Sequence, residues 1–164
     1  MKLKDLGTKP LVVEDLGHTD VFHINVTDKE LLDRILYPEM KLNGELENYC
    51  KLISTKFLNE KLALQAVTAA LTANKDKIKA WTEYRYASRI QIEHFFRNTI
   101  GEGIVKGTDF RKRYPMTGIR LILSLGYNGD NFDIVTCYPI QNSSVNSQIE
   151  QDRTVFRNQK LKRR

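Results

Sequence analysis

Gly17-His18-Thr19 with a second histidine at His23, and Thr136-Cys137-Tyr138-Pro139 far along the chain, supply side chains that move protons and grip phosphate. An imidazole titrates at about pH 6.5, so near neutrality it can accept a proton and later return it. Arg34 adds a permanent planar cation able to hold two phosphate oxygens through parallel hydrogen bonds. Thr136 and Tyr138 add hydroxyls, and tyrosine, with a pKa of about 10, is a usable but weak acid. Acid, base and anion-holding groups are therefore present without any need for a metal. The histidines also have an ordinary meaning as structural residues, which is the reading taken for His94 between Glu93 and Phe95.

These groups need elements to carry them. Thr27-x-x-Glu30 is a capping box and Pro38 a helix stop, so a helix is expected over 27–37. Leu31, Leu32 and Ile35 form its apolar stripe, with Arg34 at the stripe's edge, placed to line a cleft or to pair with Glu30 on the surface. Leu62, Ala66, Ala69, Ala70 and Ala73 recur at helical spacing over 59–73. A third helix over 74–84 takes Asn74 as its cap and turns Ile78 and Trp81 inward, Trp81 as core in preference to a base-stacking platform.

From Arg89 the period changes to two, and glycines interrupt the chain, so strands and turns are expected there. Segments 118–125 and 132–140 read as a hairpin around Asn128-Gly129. Alternation puts Thr136 and Tyr138 on one face and Val135 and Cys137 on the other. A strict two-residue turn would set Leu121 against Thr136 and Ile119 against Tyr138, hydroxyls among aliphatics. A longer or bulged turn through 126–131 would change that register.

The 164 residues, 41% of them hydrophobic, suffice for one main domain. The expected layout is a linker or leading strand over 1–15, the domain over 16–141, and a polar, basic tail over 142–164, read as disordered solvent-facing chain in preference to a flexible RNA-contacting extension. A formal charge of +6 favours an anionic partner, nucleic acid or an acidic protein. Arg111-Lys112-Arg113 is a local cluster that either tracks phosphates as auxiliary RNA contact or is a solvated loop. Cys50 and Cys137 are too few for a disulfide framework and have no metal-ligand spacing, although one bridge between them is allowed. No stretch reaches about 18 apolar residues, and the N-terminus lacks a charged-then-apolar signal, so neither a membrane span nor a signal peptide is expected.

In order and surroundings these pieces resemble the RNase A-like toxin domain at the C-terminus of bacterial contact-dependent inhibition (CdiA-type) proteins. The resemblance covers roughly 16–141. It rests on Gly17-His18-Thr19 followed by His23, Leu31-Leu32-Asp33-Arg34-Ile35, Ser54-Thr55-Lys56-Phe57, Ile78 to Trp81, Ile100-Gly101-Glu102-Gly103 and Thr136 to Pro139. Departures are Leu16 before Gly17, the stretch Ile24-Asn25-Val26, and Cys137 in place of a small residue.

The resemblance implies an α+β fold, N-terminal helices packed on an antiparallel sheet in the two-lobed RNase A arrangement, without its disulfides. It also implies a metal-independent endoribonuclease needing no cofactor. His23 would be the base, its place eleven residues before Arg34 resembling the family's catalytic pair. His18 would position the loop or substrate, or exchange roles with His23. Arg34 and Thr136 would stabilise the phosphorane, and Tyr138 would protonate the leaving 5′-oxygen or position the phosphate. Products would be a 2′,3′-cyclic phosphate and a 5′-hydroxyl. A cognate immunity protein with an acidic contact surface, opposing Arg34, Arg111 and Lys112, would protect the producer. Export would belong to a larger parent chain, and action to the target-cell cytoplasm. The competing class is a noncatalytic basic module that binds RNA or protein, which predicts salt-dependent binding without cleavage.

Overall fold

The structure is a computed structural model and describes residues 1–19, 23–37 and 51–163. Helix α1 (Asp28–Leu36) begins where its box places it, the Glu30 amide donating to Thr27 Oγ1 at 3.2 Å. Strand β1 (Ile53–Phe57) leads into α2 (Glu60–Ala73), capped by Asn59, whose Oδ1 accepts from the Leu62 amide at 2.8 Å. Helix α3 (Lys75–Tyr84) is next. Asn74 does not cap it with its side chain as expected. Its Nδ2 instead donates to the carbonyls of Ala70 and Glu93, fastening the corner between the two helices to the sheet.

Strands β2 (Arg89–Phe95), β3 (Gly101–Val105), β4 (Tyr114–Met116), β5 (Gly118–Leu125) and β6 (Phe132–Ile140) complete two antiparallel three-stranded sheets, ordered β1-β3-β4 and β2-β5-β6. The fold is α+β, with four α-helices among the described residues. Helices α2 and α3 cover one face of the β2-β5-β6 sheet, burying Val67, Leu71, Ile78 and Trp81 with Ile92, Leu121, Leu123 and Phe132. Trp81 is core as expected, its Nε1 donating to the Ala87 carbonyl at 2.7 Å. Helix α1 lays Leu31 and Ile35 on Ile104 of the other sheet. The sheets meet where Gly101 approaches Pro139 so closely that a Cβ at Gly101 would lie 2.7 Å from the proline ring.

Two segments depart from expectation. Segment 1–15, expected as a linker or leading strand, forms two short 3-10 turns and is tied to the domain at points along its length. Leu3 and Leu16 are buried, and the Phe132 amide donates to the Met1 carbonyl at 2.9 Å. The tail, expected to be disordered, forms α4 (Ser143–Lys162), with Asn142 Oδ1 accepting from the Val145 amide. Ile149 is buried with Val105, Tyr114 and Met116, and Val145 packs partly buried against them. A polar anchor completes the docking: Asp152 accepts from Tyr114 Oη at 2.7 Å and from Lys112 Nζ at 2.5 Å. Those two donors hold the Asp152 carboxyl down at about 2. Such a helix is invisible to periodicity because so little of it is buried.

Candidate active site

The hairpin's turn runs through 126–131, with the Gly126 amide donating to the Asn131 carbonyl, and the register shifts between Ile122 and Leu123. Leu123 pairs with Ile134 but Ile122 pairs with Thr136, so Val135 is the extra residue of a bulge. The insertion turns both Ile134 and Cys137, three apart, into the core. Thr136 and Tyr138 then face away from it, opposite Ile122 and Arg120 instead of Leu121 and Ile119.

Gly17-His18-Thr19 sits directly on this bulge. The His18 amide donates to the Val135 carbonyl at 3.1 Å. Thr19, fully buried, accepts from the Cys137 amide at 2.8 Å and reaches back to the Cys137 carbonyl at 3.3 Å. Gly17 is required at φ 63°, ψ −128°, where a Cβ would lie 2.2 Å from the Val135 carbonyl oxygen. The motif is thus a backbone clamp that brings the histidine segment to β6. Thr19→Val keeps the shape but strands a buried amide, and denaturant unfolding should show a loss of about 1–3 kcal/mol.

A cleft of about 680 Å³ opens beside the clamp. His18, His23, Arg34, Thr136 and Tyr138, all singled out from sequence, line it together. His23 Nδ1 lies 3.1 Å from the Thr55 carbonyl oxygen. A carbonyl only accepts, so Nδ1 carries the hydrogen and Nε2 the lone pair. Burial pushes the His23 pKa down to about 4; the Thr55 hydrogen bond works against this, and the charges of Arg34 and Lys51 add to it. His23 is therefore neutral at pH 7 with a defined basic nitrogen. The Tyr138 ring lies 5.5 Å from the His23 ring, centroid to centroid.

Sequence reasoning missed Lys51, Ser54, Glu93 and Arg120 on the same walls. Ser54 Oγ is buried there without a hydrogen-bond partner among the described residues. Alternation alone gave no signal for Glu93 or Arg120, because their significance comes from strand register. Arg111, Lys112 and Arg113 do not line the cleft. They pair with Asp109, Asp152 and Asp28 respectively. His94 keeps its structural role, edge-on to Phe96 at 4.9 Å. Cys137 is a buried free thiol, its pKa pushed up to about 12 by burial, so it is no nucleophile. Cys50, the other half of the allowed bridge, lies outside the described residues, as does Pro38. Among the described residues no group of three or more His, Cys, Asp or Glu is placed to hold a metal, and no helix is long and apolar enough to cross a membrane.

Two small antiparallel sheets meet at a cleft lined by Arg34, Lys51 and Arg120 beside a neutral imidazole and two hydroxyls, in a compact α+β domain. Residues 17–139 match the family model of the bacterial CdiA-CT RNAse A domain, and since that span is well over half of the chain, the chain belongs to this family. Membership makes it a nuclease toxin domain of the contact-dependent inhibition type. Among solved structures it is similar to a chain in the crystal structure of the CdiA-CT/CdiI complex from Y. kristensenii 33638. The TM-score is 0.61 at 20% identity, over 75% of this chain and 98% of that one, a likeness of fold. A comparison with curated proteins finds no match.

Proposed function

We propose that this domain is an endoribonuclease that cleaves RNA by transphosphorylation, without a metal ion. One observation carries the reading: the Thr55 carbonyl fixes the His23 tautomer so that Nε2 holds a lone pair in a cleft shared with Arg34 and Thr136. His23 Nε2 takes the proton of a ribose 2′-hydroxyl, and that oxygen attacks the adjacent phosphorus. Negative charge grows on the nonbridging oxygens, where the Arg34 fork and the Thr136 hydroxyl stabilise it more than in the ground state. The P–O5′ bond breaks as the leaving oxygen gains a proton, giving a 2′,3′-cyclic phosphate and a 5′-hydroxyl. His18, exposed at the cleft rim, positions the substrate.

The substrate class is dictated by the nucleophile, since DNA has no 2′-hydroxyl. A defined RNA incubated with the protein in excess chelator should yield cyclic-phosphate ends, and the same oligonucleotide with 2′-deoxyribose at the cut site should stay intact. Ends bearing 5′-phosphate, or cutting of the deoxy substrate, would overturn the mechanism. The related complex holds a CdiA-CT with a CdiI. By extension, a cognate immunity protein covers this cleft with acidic groups facing Arg34, Lys51 and Arg120, and the domain reaches target cells as part of a larger CdiA-type protein.

A further inference from the structure

On the cleft face of the β2-β5-β6 sheet, Glu93, Arg120 and Tyr138 stand in one row, because Glu93 pairs with Arg120 and Arg120 with Tyr138. Arg120 Nε donates to Glu93 Oε1 at 2.7 Å, and Nη2 lies 2.6 Å from the same oxygen. Two contacts to one carboxylate fix a side chain that is otherwise rich in rotamers. On its other side, Arg120 Nη1 donates to Tyr138 Oη at 3.3 Å, and the guanidinium carbon stands 5.7 Å from the Tyr138 ring centroid. Arginine has no acceptor, so the phenol oxygen accepts in this bond and its own hydrogen is not spent on Arg120.

We propose that Arg120, held by Glu93, is a positioning residue that makes Tyr138 the proton donor to the leaving 5′-oxygen. The inference rests on the transphosphorylation reading above. As the P–O5′ bond breaks, the Tyr138 Oη–H proton passes to O5′, and the phenolate oxygen left behind keeps the hydrogen bond it already accepts from Arg120 Nη1. His23 then carries the 2′-hydroxyl proton as imidazolium. Passing it through water to the phenolate restores both side chains, and no other reactant is consumed.

A leaving group that needs no proton isolates this step. Wild type, Arg120→Met, Tyr138→Phe and His23→Ala are compared on a short RNA and on the nucleoside 3′-(4-nitrophenyl phosphate) bearing the base wild type prefers. Arg120→Met and Tyr138→Phe should each lose roughly 10² in kcat on RNA and only about 3-fold on the nitrophenyl ester, whereas His23→Ala should lose heavily on both. Adding Arg120→Met to Tyr138→Phe should cost little more on RNA, since both remove one function. Equal losses on the two substrates for Arg120→Met would place Arg120 on the phosphate and overturn the proposal, as would an additive double variant or an undiminished rate on RNA. Wild type that cleaves neither substrate would instead bring down the ribonuclease reading itself, visible before any variant is made.

Discussion

His23→Ala should lower kcat on RNA by at least about 10², the usual contribution of a positioned general base. The substitution removes the imidazole whose tautomer the Thr55 carbonyl fixes in the cleft. Near-normal cleavage by a folded His23→Ala protein would pass the role to His18. The pH dependence carries the same signature. With its pKa lowered to about 4, largely by burial, His23 stays a free base through mild acid, so the acid limb of kcat/KM should fall near 4, well below an ordinary imidazole. A phosphate held beside Arg34 and Lys51 offsets their part of the shift, so the limb in kcat should lie higher than the limb in kcat/KM. Stability should change with pH in the same direction. Between about pH 6.5 and 4 the unfolded chain binds a proton at His23 that the folded one refuses, so folding stability rises with pH across that window. Its contribution is complete above the window and lost on descending through it, about 3 kcal/mol in all. Unfolding of wild type at pH 7 and 4.5 should show this loss, and His23→Ala should show less of it.

Gly17→Ala should be the most damaging substitution outside the catalytic set. The added methyl would lie 2.2 Å from the Val135 oxygen and 2.4 Å from the Ile134 oxygen, both backbone atoms of a sheet strand that cannot swing aside. The φ of 63° adds strain of its own. A loss of at least about 3 kcal/mol is expected in denaturant titration, in the range reserved for a backbone clash at a special conformation. Gly129→Ala is the control. It also has positive φ, 56°, but nothing within 4 Å of the added carbon, so its cost should be only about 1 kcal/mol. Equal costs for the two would mean that the clamp at the bulge is not what makes Gly17 necessary.

What was readable in the chain was local. Thr27 announces its helix because capping is a contact three residues long, and it caps as expected, whereas Asn59 caps α2 without having been singled out and Asn74 does not cap α3. The hairpin strands, 118–125 and 132–140, were legible from alternation and Asn-Gly. Thr136 and Tyr138 sharing the cleft was legible too, but not by which register. The bulge at Val135 is secured by Gly17 and Thr19, more than a hundred residues away, and no window of sequence contains that partnership. Glu93 and Arg120 were hidden for a related reason, since only pairing between β2 and β5 sets one charge against the other. Helix α4 was hidden because its hold on the domain rests on Ile149, a partly buried Val145 and Asp152, too sparse to make a stripe.

The bond between Thr19 and Cys137 joins positions 118 residues apart. Closing so long a loop is among the slow, late events of folding, since its entropy must be met before the contact rewards it. Local elements such as α2, α3 and the hairpin do not by themselves make a cleft, because the histidine segment and β6 meet only when this closure is made. Until that contact closes, the walls of the cleft stay on separate pieces of chain, so the site exists only in the fully assembled domain.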